Sequence, residues 1–71
     1  MPFDWAKSTG NQGVALRLLA ERRGDLATAG QALAQITAAF ETFLEEHHMS
    51  ATDYEAQVPI ARALVERLRK P

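Results

Sequence analysis

The chain has 71 residues, enough for one small domain, and it lies close to the size at which a single core barely offsets chain entropy. Its formal net charge is −1, so it lacks the basic excess that would neutralise a phosphate backbone, and we expect no nucleic-acid partner. It contains no cysteine, which excludes disulfides and thiolate chemistry. No targeting element is visible, and we expect a cytoplasmic protein without a cofactor.

Two helix-like segments, residues 4–23 and 26–40, are joined only by Gly24 and Asp25. Asp4 lies where a carboxylate complements a helix N-terminus, and the first segment ends in two arginines before a glycine, which is a usual helix stop. Small residues recur where the two helices have to touch. The pattern therefore predicts a tight helical hairpin.

The second helix has a broad apolar face, which predicts contact on two sides, with its hairpin partner and with a neighbouring unit. Gly30 costs about 1 kcal/mol against alanine inside a helix, so we expect a close backbone approach there; the alternative is an alanine-rich helix with an incidental glycine. The uncharged stretch 26–40 is too short to span a bilayer, and we expect no membrane partner. The apolar positions, spaced by three and four, are Ala29, Ala32, Leu33, Ile36, Ala39, Phe40, Phe43 and Leu44.

A third helix is predicted to follow, with Ser50 or Thr52 as its cap and Thr52 and Glu55 at capping-box spacing. Pro59 leaves two alternatives: one helix from Thr52 that is kinked, which we adopt, or a helix that begins near Val58 with Tyr54 in a separate turn.

The predicted fold is all-α, a single domain in which residues 1–48 form the hairpin and 49–71 a capping helix. Any β-sheet would contradict it. The side chains expected to be largely buried are Trp5, Leu16, Leu33, Ile36, Phe40 and Leu64.

Residues of the first helix resemble the first helix of bacterial tetratricopeptide-like repeats of an extended class with about 42 residues per unit. The resemblance covers about two thirds of the chain, and it rests on the spacing of the matching residues. Gln12 and Ala20 depart from it, since the family has leucine and glycine there, whereas residues 54–70 look like the solvating helix that closes such arrays. The matching residues are Pro2, Asp4, Trp5 and Ala6; Asn11 and Gly13; Leu19, Glu21 and Arg22; and, on the second helix, Ala32, Ile36 and Ala39.

This resemblance implies a non-catalytic module that binds a peptide or partner protein along the first helix. Gly10 and Val14 stand where chaperone-binding members carry cations, so a clamp for a C-terminal carboxylate is not expected. The alternative is that this side is only the solvated face of an amphipathic helix. The implied binding residues are Lys7, Asn11, Val14, Arg17 and Leu18.

Self-association is a further expectation, because repeat arrays normally need about three units for stability. A preceding repeat would cover an apolar patch of Phe3, Trp5, Val14 and Leu18, and a second copy can take its place. We expect a homo-oligomer, most simply a dimer, domain-swapped if the linker 45–52 opens. The alternative is a purely structural oligomerisation unit or solenoid cap with no ligand.

Catalysis is not expected. The one concentrated titratable cluster contains Glu45 and His48, three residues apart, which is at most a weak surface metal site. The aspartates Asp4, Asp25 and Asp53 lie at helix starts, where capping explains them.

Overall fold

Four helical segments form the chain in the computed structural model, which describes the backbone of residues 2–70 and the side chains of residues 4–70. They are α1 (Pro2–Arg23), α2 (Leu26–Glu45), α3 (Ser50–Glu55) and α4 (Gln57–Arg69). The described residues contain no strand. The predicted all-α fold is confirmed: α1 and α2 make the hairpin, and α3 with α4 make a third arm that packs mainly on α2.

The turn between α1 and α2 satisfies both helix ends with two residues. Gly24 has a positive φ of 63°, and its N–H donates to the carbonyl of Ala20 at 2.7 Å. The Asp25 carboxylate accepts from the Ala27 amide at 3.0 Å and from the Thr28 hydroxyl at 2.7 Å. Because glycine adopts this left-handed conformation without strain and aspartate caps a helix well, the predicted hairpin turn forms locally.

Small side chains let α1 and α2 approach each other closely. A Cβ built on Gly13 would lie 2.8 Å from the Cγ1 of Ile36 and 3.1 Å from its backbone nitrogen. No room is left for a methyl group, so the glycine sets the distance between the helices. The buried residues of the two helices include Ala6, Gly13 and Ala20 of α1, and Ala29, Ala32, Ile36, Ala39 and Phe43 of α2.

The end of α2 is a Schellman motif in which a histidine takes the place usually held by glycine. The His48 N–H donates to the Phe43 carbonyl at 2.8 Å, and the His47 N–H donates to the Leu44 carbonyl at 3.1 Å. His47 accordingly has a φ of 54°. This motif ends α2 and turns the chain into the linker that leads to α3.

The third arm combines the two predicted alternatives. Its helix is divided at Ala56, but Ala56 keeps helical dihedral angles, with φ −71° and ψ −29°, so α3 and α4 follow one another as the predicted kinked arm. Pro59 has no N–H to offer the Glu55 carbonyl, and its ring crowds that group, so the hydrogen-bond ladder stops and restarts. Pro59 is the third residue of α4, in the first turn, where an amide donor is dispensable. As in the second alternative, α4 begins close to Val58 and Tyr54 lies before the break.

The predicted capping box at Thr52 is wrong, because α3 already begins at Ser50 and has no side-chain cap hydrogen bond at Met49, its N-cap residue. The Ser50 N–H instead donates a hydrogen bond to the Nδ1 atom of His48.

The third arm covers one side of the hairpin, and this decides which predicted core residues are buried. Ile36 and Leu64 are buried as predicted. Trp5 is 54% exposed, so its predicted burial is wrong. It lies nine residues from Val14, half a turn around α1, and Val14 packs in the same cluster as Tyr54 of the third arm. The remaining three, Leu16, Leu33 and Phe40, are half-buried.

The prediction for Gly30 is also wrong. No atom lies within 4 Å of a Cβ built there, so the close backbone approach expected at this glycine is absent from the described structure. The surface beside Gly30 is open.

The molecule is elongated along its helices, with principal extents of 39 × 17 × 13 Å. No helix in the described part of the chain is long and apolar enough to cross a membrane.

Candidate functional site

Tyr54 joins the third arm to both helices of the hairpin. Its ring is buried and stacks on Phe43 of α2, with ring centroids 5.6 Å apart and an interplanar angle of 3°. Its hydroxyl donates to Asn11 Oδ1 of α1 at 3.2 Å. A Cβ at Gly10 would come within 2.5 Å of the Tyr54 ring, so the missing side chain of Gly10 is the space that the ring occupies.

Burial raises the pKa of Tyr54 above its ordinary value of 10.0, and the nearby negative charge of Asp53 adds to the shift. Both causes disfavour the phenolate. The tyrosine is therefore held in the neutral form that donates to Asn11, which is a structural role.

His48 connects the end of α2 to the start of α3. Its Nδ1 accepts a hydrogen bond from the Ser50 amide at 3.0 Å, and its ring centroid lies 4.9 Å from that of Phe43. The ring thus caps α3 and extends the aromatic cluster around Phe43. A neutral ring nitrogen is required for the first of these contacts.

An open depression of about 490 Å³ lies over this linker. His48 is occupied by the contacts just described, and Glu45 is the last residue of α2. Within the described residues, no group of three or more histidine or acidic side chains is placed to hold a metal ion. The lining residues are Glu46, His47, His48, Met49, Ser50 and Asp53.

The five residues predicted to bind a peptide lie on one broad side of α1, next to the third arm. Lys7, Asn11 and Leu18 are exposed, and Leu18 retains 49% of its surface. Val14 is half-buried and packs against the cluster that contains Tyr54. The accessible surface on this side is therefore smaller than the five predicted residues together would form.

Arg17 is largely withdrawn from solvent. Its side chain is 13% exposed, and its Nη1 lies 2.7 Å from Glu21 Oε1, four residues along the same helix. Its Nε is buried and has no hydrogen-bond partner among the described residues. The guanidinium is thus already neutralised within α1, which leaves Lys7 as the accessible cation of the predicted set.

The residues predicted for self-association fall on two sides of α1. Trp5 is exposed on the side away from the third arm, whereas Val14 and Leu18 lie on the side toward it. The side chain of Phe3 lies outside the described residues. One flat patch on α1 cannot contain both Trp5 and Val14.

The contact between Tyr54 and Gly10 is the feature that sequence reasoning missed. Ala6, Gly10 and Gly13 follow each other at spacings of four and three, which marks a stripe where α1 admits something large. That spacing was available in the sequence, but it does not say which aromatic residue fills the gap.

Comparisons of this all-α hairpin and its third arm with protein-family models, curated proteins and solved structures find no match. The resemblance to tetratricopeptide-like repeats therefore stays a prediction.

Proposed function

We propose that the chain is a non-catalytic protein–protein interaction module of tetratricopeptide-like type, and that its principal interaction is self-association. One observation carries the proposal: the described chain leaves six large apolar side chains exposed, about as many as it buries in Ile36, Phe43, Tyr54, Leu64 and Val65. Phe43 and Ile36 are its largest fully buried side chains. The large exposed ones are Trp5, Leu18, Leu26, Leu44, Met49 and Ile60.

The core contains few large side chains because the buried α1–α2 interface is built mostly from alanine and glycine. Such residues bury little apolar area, and area removed from water is the main source of stability. Association would cover part of the exposed apolar surface and supply what the small core lacks.

The test is the molecular mass in solution. Sedimentation equilibrium over a hundredfold range of protein concentration should show a mass rising from 7.8 kDa toward twice that value. The melting temperature should rise with concentration, because a dimer is stabilised by mass action. A constant mass of 7.8 kDa together with a concentration-independent melt would refute self-association.

A second candidate function is binding of an acidic or extended peptide to α1. It is favoured by the exposure of Lys7, Asn11 and Leu18 on one side of the helix, where a cation, an amide and an apolar group are accessible together. Asn11 already accepts from Tyr54, but an amide side chain keeps donors for a peptide carbonyl.

An acidic peptide added to the labelled protein should shift the amide signals around Lys7, Asn11 and Leu18, and the effect should weaken with salt. Lys7→Glu should abolish the shifts, whereas Lys70→Glu, at the far end of the chain, should leave them unchanged. Shifts confined to the third arm would place the binding surface elsewhere.

A further inference from the structure

Helix α2 carries two parallel apolar seams. The first faces the inside of the molecule and comprises its buried residues from Ala29 to Phe43. The second begins with Leu26 and then follows the first by one residue at each step; we name it the outer seam. Its spacings of four and three alternate without a break, which is the heptad pattern of helices that pack along their length. The outer seam is Leu26, Gly30, Leu33, Thr37, Phe40 and Leu44.

The third arm covers the outer seam only in part. Leu33 and Phe40 pack against the buried clusters. Leu26 is 41% exposed and Leu44 is 53% exposed, one at each end of α2. At Gly30 the surface is open, with no atom within 4 Å of a built Cβ. The outer seam is therefore an apolar ridge with a gap near one end.

We propose that the outer seam binds the same seam of a second copy in antiparallel orientation, which gives a twofold dimer; this rests on the self-association proposed above. An antiparallel axis through the middle of α2 places Leu26 opposite Leu44 and Leu33 opposite Thr37. It also places Phe40 opposite Gly30. The exposed part of the half-buried Phe40 ring thus meets the one position of the seam that has no side chain, and both ends bury an exposed leucine.

The distribution of charge favours the antiparallel orientation. Arg22 and Arg23 lie just before α2, whereas Glu41, Glu45 and Glu46 lie at its C-terminal end, and all five are exposed. Asp25 also lies at the first end, but its carboxylate is engaged by Ala27 and Thr28. Antiparallel copies bring the arginines of one chain beside the glutamates of the other, whereas parallel copies would bring glutamates together.

The first test is Leu44→Lys. The new cation is accommodated in the free chain, because it lies in the last turn of α2, where a positive charge is favoured, three residues from Glu41. In the dimer it would face Leu26 next to Arg22 and Arg23 of the other copy. We expect the dissociation constant from sedimentation equilibrium to rise at least tenfold, with unchanged helix content by circular dichroism.

Ile60→Lys is the matched control, because Ile60 is an exposed apolar residue of α4 that lies outside the outer seam and outside the residues predicted for self-association. It should leave the dissociation constant within about twofold. A wild-type chain that stays monomeric would refute both self-association and the outer-seam dimer. A wild-type dimer that is broken by Leu18→Lys but not by Leu44→Lys would keep self-association and overturn the outer seam.

The second test fixes the orientation by cross-linking, which is clean because the chain has no cysteine of its own. Leu26→Cys and Leu44→Cys chains of distinguishable mass are mixed and oxidised. The antiparallel dimer should give the mixed disulfide in large excess over both same-site disulfides. Predominant same-site products, or the absence of any cross-linked product from a dimeric sample, would overturn the proposal.

Discussion

Two glycines in the middle of helices have opposite surroundings. Gly13 is packed against the side chain and backbone of Ile36, whereas Gly30 faces open space. Both would gain about 1 kcal/mol of helix propensity as alanine. Only at Gly13 must the neighbouring backbone move, and overpacking costs about 1–3 kcal/mol.

We therefore expect Gly30→Ala to raise the free energy of unfolding by about 1 kcal/mol and Gly13→Ala to lower it. Urea denaturation in a Leu44→Lys background, where association is weakened, should separate the two. Equal stabilisation by both substitutions would mean that α1 and α2 are farther apart than described.

The second prediction at this scale concerns the hydroxyl of Tyr54. Tyr54→Phe keeps the stacked ring but removes the bond to Asn11, and it should cost about 0.5–1 kcal/mol near neutral pH. Because the pKa of Tyr54 is raised, the stability linked to it is complete below pH 10.0 and is lost as the pH rises through the higher folded value. Thermal melts from pH 8 to 11 should show the variant losing less stability than the parent chain. Parallel pH curves would contradict the buried position of the hydroxyl.

At the scale of the element, the start of α2 depends on Asp25. The hydrogen bond from the Thr28 side chain, with those from the Thr28 and Ala27 amides, lowers the pKa of Asp25 below 3.8. Its contribution is therefore complete above that value and is lost as the pH falls through the lower folded pKa.

Asp25→Ala should lower the melting temperature at pH 7, and Asp25→Asn, which caps a helix nearly as well, should restore most of it. Between pH 5 and 2 the parent chain should lose stability that the asparagine variant keeps. The measurement is circular dichroism at 222 nm, and an unchanged alanine variant would show that the cap is dispensable.

Pro59 governs the break in the third arm. Pro59→Ala restores an N–H that can donate to the Glu55 carbonyl, so α3 and α4 should join into one helix through Ala56. Hydrogen exchange should then show new protection at residue 59. Gln57→Ala is a suitable control, because it changes a residue of the same turn without restoring a donor. Absence of new protection would mean that another contact causes the break.

The sequence predicts these elements well where the signal is local. The cap at Asp25, the stop at Gly24 and the small residues of α1 each act within a turn or two of helix, and each forms as expected. The start of α3 could not be predicted in this way, because the helix begins before Thr52 and its first amide, that of Ser50, donates to the His48 ring.

At the scale of the whole molecule, stability rests on few large side chains. Ile36 is fully buried between α1 and α2, and Ile36→Ala should cost about 2–5 kcal/mol by leaving a cavity. A domain of this length has about 4–10 kcal/mol in total, so this variant should be partly or fully unfolded at 37 °C. The matched control is Ile60→Ala, at an exposed position of α4, which should cost under about 1 kcal/mol. Similar losses in both, by urea denaturation, would contradict the packing described.

The exposure of Trp5 and the open surface at Gly30 could not be predicted, because both depend on where the third arm lies. Period and composition show that a helix face is apolar, but they do not show which side another helix covers. The same limit applies to the candidate site. Lys7, Asn11 and Arg17 share a side of α1 as expected, yet the neutralisation of Arg17 by Glu21 and the placement of Tyr54 over Gly10 required coordinates.

The alanine-lined contact between α1 and α2 makes the molecule asymmetric in its tolerance of mutation. Alanine has no side-chain rotamers to freeze, so ordering this contact costs no side-chain entropy. A substitution of one of these alanines by glycine removes a single methyl group. A substitution by a larger residue pushes the two helices apart. In a saturation library, Ala32 and Ala39 should accept glycine or serine more often than valine or leucine, the reverse of what the aliphatic residues Leu64 and Val65 of the other buried cluster would accept.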